Sequence, residues 1–172
     1  MEHYPLSVHL TVADIKKSIK FYTEKLGFTL ENTYPNPKKP VHACLVLDRQ
    51  SIMLGVSMTA DDAKKAGMSK DEIDLVRKDA KAFGKAAHGV GASFFLCVPD
   101  VDAHYKVAKK KKVDILASPK TQFYGLREYV AEDLDGYRFV FYTQVMQEAP
   151  SPSSPSAANG PGDKEEEAVA DA

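Results

Sequence analysis

The same order of patterns runs through this chain twice. In the first copy the strand-like run LSVHLTV (6–12) leads through Asp14 into DIKKSIKFYTEKLGF, then TLENTY, then HACLVLDRQSIMLGV. In the second, ASFFLCVPD leads through Asp100 into DVDAHYKVAKKKKV, then DILASPKTQ, then REYVAEDLDGYRFVFYTQ. Laying Val12-Ala13-Asp14 over Val98-Pro99-Asp100 brings both strand-to-helix junctions into register. A repeat of this kind constrains the fold more than any single motif.

Local signals give each copy the order β-α-β-β-β. Ile15, Ile19, Tyr22 and Leu26 recur at spacings of 4, 3 and 4, one face of a helix. Asp14 is a good N-cap for it and Gly27 a good stop. In the second copy Asp100 caps a helix whose buried face carries Val101, Tyr105 and Ala108. The strands after each helix end in a hairpin, one around a tight polar turn at Asp48–Ser51 and the other around Asp135-Gly136. The expected class is α+β: two βαβββ modules, about 5–57 and 91–146, forming curved mixed sheets around a concave pocket. Residues 58–89 read as a helical insertion. Thr59 starts a short helix, and SKDE (69–72) is a capping box opening a longer one. On that helix Ile73, Val76, Ala80, Phe83 and Ala87 form a narrow apolar face, for its own domain or for a partner chain.

Residues 147–172 are dominated by proline, serine, glycine and acids, with no packable apolar pattern. The expectation is a disordered acidic tail after a folded unit of 1–146. From Glu148 on there are six acids and one lysine, net -5, so the total of -1 leaves the rest near +4. Much of the excess lies in KKKK (109–112) and NPKKP (36–40), and the four adjacent lysines read as a solvated last turn favoured by the helix dipole. Aromatic interleaving and nucleic-acid motifs are missing, so no nucleic acid is expected. No apolar run approaches the ~18 residues of a membrane span. The opening MEHYPLSV lacks a signal-peptide layout, and Cys44 and Cys97 read as reduced thiols. Both set the expectation of a cytoplasmic protein.

Strand alternation sorts side chains by face. Val8, Leu10 and Val12 should pack under the first helix, leaving Ser7, His9 and Thr11 opposite. Phe94, Leu96 and Val98 should pack under the second helix, leaving Phe95 and Cys97 opposite. Taking both hairpins with tight turns pairs Leu47 with Ile52 and Val46 with Met53, which places His42, Cys44, Val46 and Met53 on one face. It also pairs Ala131 with Val140 and Tyr129 with Tyr142, so that Arg127, Tyr129, Ala131, Arg138, Val140 and Tyr142 share another. Such a mixture of apolar walls and a few orienting polar groups suits a small-molecule pocket. His88 and His104 read as surface residues.

The paired modules, the VADIKKSIKFYTEKLGF pattern and the FYGLREYVAEDLDGYRF hairpin resemble the vicinal oxygen chelate superfamily. That superfamily includes glyoxalase I, extradiol dioxygenases, and fosfomycin- and bleomycin-resistance proteins. The resemblance spans about residues 5–145 and is nearest the bleomycin-resistance branch, with Leu134 and Tyr137 departing from the usual proline and asparagine. It implies four metal-ligand positions, held here by His9, Met53, Phe95 and Val140. Only His9 is a family-type ligand, and methionine suits copper(I) rather than zinc, nickel or iron. The reading that follows has no metal and no cofactor. A small molecule is bound, by sequestration, between the modules or across a homodimer interface. The site residues are His9, His42, Met53, Phe95, Cys97, Arg127, Tyr129, Arg138, Val140 and Tyr142, none of them catalytic. The alternatives are a metal-dependent lyase, isomerase or dioxygenase of the same superfamily, and a degenerate domain serving only assembly.

Overall fold

The structure, a computed structural model, describes residues 8–145; the expected acidic tail lies outside the described residues. Each repeat forms one four-stranded mixed sheet. The first contains β1 (Val8–Val12), α1 (Ile15–Lys25), β2 (Thr29–Tyr34), β3 (His42–Leu47) and β4 (Gln50–Val56). Between the repeats lie α2 (Ala60–Lys65) and α3 (Lys70–Phe83). The second contains β5 (Phe94–Cys97), α4 (Val101–Lys110), β6 (Asp114–Thr121), β7 (Leu126–Glu132) and β8 (Arg138–Gln144). The strand orders, β1-β4-β3-β2 and β5-β8-β7-β6, are the same in both. In each, the helix carries the chain to the far edge of the sheet, and two antiparallel steps then bring the last strand beside the first and parallel to it.

The helices begin and end where short-range chemistry dictates. Asp14 Oδ1 accepts the Lys17 N–H and Asp100 Oδ1 accepts the Ala103 N–H, which satisfies an orphan donor at each N-terminus. At the end of α1, Gly27 takes φ +79°, and the Leu26 and Phe28 N–H groups both donate to the Tyr22 carbonyl. A left-handed glycine makes that wrap possible without a Cβ penalty.

One apolar core joins the two modules. Leu10, Tyr22 and Phe28 belong to the same buried cluster as Phe139 and Phe141. The Tyr22 ring meets Phe28 and Phe139 edge-on, with centroids 5.3 and 5.6 Å away. Burying each such side chain contributes roughly 1.5–3 kcal/mol. The edges of the two sheets are closed reciprocally. Gln50, at the first hairpin, donates to the Cys97 carbonyl (2.9 Å) and accepts the Cys97 N–H (2.8 Å). At the second hairpin the Tyr137 hydroxyl donates to the Thr11 carbonyl (3.0 Å), and Asp135 Oδ1 accepts the Ala13 N–H (2.9 Å). Thr11 and Cys97 are equivalent positions of the repeat, so each hairpin satisfies the open edge of the other module's first strand.

The helices α1 and α4 lie together on one side of this junction. His104 Nε2 bonds the Leu26 carbonyl at 3.1 Å, and Lys111 donates to the carbonyl of Glu24. The other faces of both sheets therefore lie together on the opposite, concave side. The insertion packs against one end of it. Thr59 and the Ser69–Glu72 capping box open α2 and α3 as expected, but α3 ends at Phe83, so Ala87 lies beyond the helix. Val76, Asp79 and Ala80 face Thr11, Val56, Ser57 and Met58 across a groove of about 180 Å³. His88, expected on the surface, stacks on Phe83 at 4.3 Å and lies 5.3 Å from the Tyr137 ring. Among the described residues no helix is long and apolar enough to cross a membrane.

Candidate functional site

The concave face is built from side chains that alternate with the core. In the first module β1 and β4 pair His9 with Met53, and β3 pairs Cys44 with Met53 and His42 with Gly55. The turn is two residues, Asp48 and Arg49, so Leu47 faces Gln50 rather than Ile52. That slip is two residues, an even number, and His42, Cys44, Val46 and Met53 stay on one face. The His9 ring lies over Gly55: a Cβ there would come within 2.5 Å of Nε2. It stacks on His42, ring centroids 5.9 Å apart and planes within 15°. Partial burial, and then the neighbouring His9, hold His42 below the ordinary histidine pKa. Burial, with Glu31 beside it, pushes the Cys44 thiol up to about 11, unsuited to nucleophilic work at neutral pH.

In the second module the expected faces of β7 are exchanged. The Asp135-Gly136 hairpin has five loop residues, 133–137, and not two, because Glu132 pairs with Arg138. Asp133 holds this wider turn: its Oδ1 accepts the N–H groups of Asp135 (3.0 Å) and Tyr137 (2.8 Å). The odd register change turns β7 over relative to β8. Ala131 therefore pairs with Phe139 and Tyr129 with Phe141, all of them in the core beneath α4. Tyr129 is wholly buried and its hydroxyl bonds His104 Nδ1 at 2.7 Å. With Nε2–H donating to the Leu26 carbonyl, Nδ1 accepts from the phenol, so His104 is a structural link and not a surface residue. Arg127 also leaves the concave face. Its guanidinium grips Asp102 of α4 through two bonds of 2.7 Å.

Arg138, Val140 and Tyr142 remain on the concave face, now opposite Glu132, Val130 and Glu128. Phe95 pairs with Val140 and Cys97 with Tyr142 on the adjoining strand. The Phe95 ring is half-exposed at 51% and its centroid is 6.3 Å from that of Tyr142. Glu128 shares this face because it alternates with buried Tyr129, whereas a two-residue turn would turn it toward the core. It is only 9% exposed. Its Oε1 accepts the Tyr124 hydroxyl at 2.7 Å, while its buried Oε2 has no hydrogen-bond partner among the described residues.

As a metal centre the face is poor in donors. The four family ligand positions supply an imidazole, a thioether and two hydrocarbon side chains. Among the described residues no group of three or more His, Cys, Asp or Glu side chains is placed to hold an ion. A zinc centre of the catalytic kind takes three protein ligands and keeps a fourth position open. These residues do not fit the metal of the superfamily's enzymes.

This arrangement of modules has relatives. The sequence profile of the Glyoxalase/Bleomycin resistance protein/Dioxygenase superfamily matches residues 5–141, and the chain belongs to that superfamily. No curated protein matches it. Among solved structures it resembles TioX from Micromonospora sp. ML1, at 18% identity and a TM-score of 0.58, covering 84% of this chain and 98% of that one. It also resembles TnmS3, an antibiotic binding protein from Streptomyces sp. CB03234, at 19% identity and 0.55, covering 84% and 97%. A superfamily member from Sphaerobacter thermophilus DSM 20745 is similar at 20% identity and 0.55, covering 83% and 98%. At these identities the likeness is one of fold.

Proposed function

We propose that this chain binds a small molecule on the concave face, without a resident metal, and acts by sequestering it in the cytoplasm. The observation that carries the reading is the contrast between the two sides of the sheets. The helix side is sealed, whereas the concave side leaves Phe95, Met53, Tyr142 and His42 partly exposed beside buried Val140 and a buried carboxylate. Apolar walls with a few converging polar groups are the usual make-up of a ligand site. The antibiotic-binding neighbour supports the choice of a binding role for this fold. The donor-poor ligand positions weigh against the lyase, isomerase or dioxygenase reading, since a Lewis-acid route needs a held ion. The two free cysteines suit a reducing compartment.

The test is thermal denaturation of the full chain, in the presence of a chelator, against a chemically broad library. Ligands that bind the folded state raise Tm in proportion to their occupancy. Several hits, weakened by Phe95→Ala, are expected. A library without hits, together with stoichiometric metal in protein grown with added metals, would overturn the reading in favour of the enzyme. A second arrangement has its own support: Leu75 of α3 is 55% exposed and lies outside the face of Val76 and Ala80 that meets the first module. We infer that a homodimer forms through this helix. Sedimentation of the full chain against a Leu75→Glu variant tests it, and identical monomer masses for both would dismiss it.

A further inference from the structure

Two buried polar atoms on the concave face lack a hydrogen-bond partner among the described residues, Glu128 Oε2 and Arg138 Nε. Glu128 occupies in the second module the place that His42 takes in the first. Cys44 faces Met53 as Val130 faces Val140, and one step on, His42 faces Gly55 as Glu128 faces Tyr142. The carboxylate is 9% exposed, and only one of its oxygens is used, by the Tyr124 hydroxyl. Oε2 is buried with no hydrogen-bond partner among the described residues. Lys120 stands opposite Glu128 in the β6–β7 register but does not supply that partner. Arg138 Nε differs from Glu128 Oε2 in having a counter-charge beside it: it lies 3.5 Å from the Glu132 carboxylate, four rungs along the β7–β8 ladder from Glu128.

A buried acceptor left empty is costly, and an ionised acceptor more so. A charged donor reaching Oε2 would make a charge-assisted bond in a region of low dielectric. The ring directly across the strand pair is Tyr142, with Phe95 behind it. Facing residues on paired strands stand about 4.5–5.5 Å apart at Cβ, so a cation at Oε2 lies within reach of the Tyr142 ring face. Carboxylate and ring both favour a positive nitrogen, and the neighbouring aromatic surface favours a flat body attached to it.

We propose that Glu128 is a specificity-determining binding residue and that the ligand class is an aromatic molecule bearing an ammonium, amidinium or guanidinium group, the nitrogen donating to Glu128 Oε2 beside Tyr142. This rests on the small-molecule reading above and narrows it.

The experiment uses a matched pair of fluorescent probes, 1-naphthylmethylammonium and 1-naphthalenemethanol, with the full chain. The chain contains no tryptophan, and the emission of its tyrosines is subtracted with a probe-free control. The ammonium should bind about tenfold more tightly than the alcohol, the usual gain from a charge-assisted bond. Glu128→Gln should reduce the preference to about twofold or less while the alcohol's affinity holds, and Arg127→Gln, off the concave face, should preserve it. Should Glu128→Gln fail to fold, the unmodified protein still decides: the ammonium preference must fall with added salt. Equal affinity for the two probes, or a preference that survives Glu128→Gln, overturns the cation assignment and leaves the concave pocket standing. Binding of neither probe overturns both.

Discussion

The Tyr22 hydroxyl donates to Asp133 Oδ2 at 2.5 Å, tying the helix of the first module to the hairpin turn of the second. Both groups are buried, and Asp133 also holds its own turn through Oδ1. Tyr22→Phe leaves Oδ2 without this donor and should cost about 2 kcal/mol. Chemical denaturation measures it; an unchanged midpoint would remove this bond from the module junction.

Burial, outweighing the hydrogen bonds from Tyr22 and the turn, raises the Asp133 pKa. The folded state then binds the proton more tightly than the unfolded chain does. Its contribution is fully present below the unfolded value, about 4, and is lost as pH rises through the folded value. The stability difference between wild type and Asp133→Asn should therefore shift against the wild type across that window. Asp14 and Asp102 have lowered pKa values, so their contribution runs the other way, lost as pH falls. Only the difference between the two proteins isolates Asp133, and a difference independent of pH would contradict the assignment.

His42 should titrate below the ordinary histidine value, followed by its imidazole NMR signals. Its folded pKa is depressed, so the stability it contributes is present above about 6.5 and lost as pH falls through the folded value. His42→Gln should flatten that slope. In His9→Ala the titration should move part of the way back up, because His9 is the lesser of the two causes.

Gly55→Ala places a methyl group 2.5 Å from His9 Nε2. The imidazole must swing off its stack with His42, and overpacking of this kind costs about 1–3 kcal/mol. Loss of the ring-current shift between the two imidazoles, with a lower Tm, is the expected result; unchanged spectra would show that the ring does not rest there.

The two thiols should separate in a labelling experiment. Cys97 is exposed on the concave face, whereas the Cys44 thiol is pushed up to about 11. An exchange reagent at neutral pH should modify Cys97 first and Cys44 slowly. Ligand on the concave face should protect Cys97.

Arg127→Gln tests the register of the last hairpin. On the helix side, paired with Asp102, Arg127 should affect only melting and leave probe affinity unchanged. Reduced affinity with unchanged melting would return it to the concave face.

The repeat, the order of elements and the ends of the helices are legible in the sequence. Those features depend on neighbours along the chain: Asp14 and its Lys17 amide, Ser69 and Glu72, Gly27 at φ +79°. The first hairpin kept its faces because its register moved by an even number. Which face of β7 looks outward depends on contacts between the modules. An Asp-Gly pair allows a two-residue turn or a wider one, and the wider one is stabilised by Asp133, whose other oxygen is held by Tyr22, 111 residues away in sequence. That single choice sends Tyr129 into the core and Glu128 to the concave face. Strand side chains alternate with period two, so an odd change in loop length exchanges every residue on the strand at once.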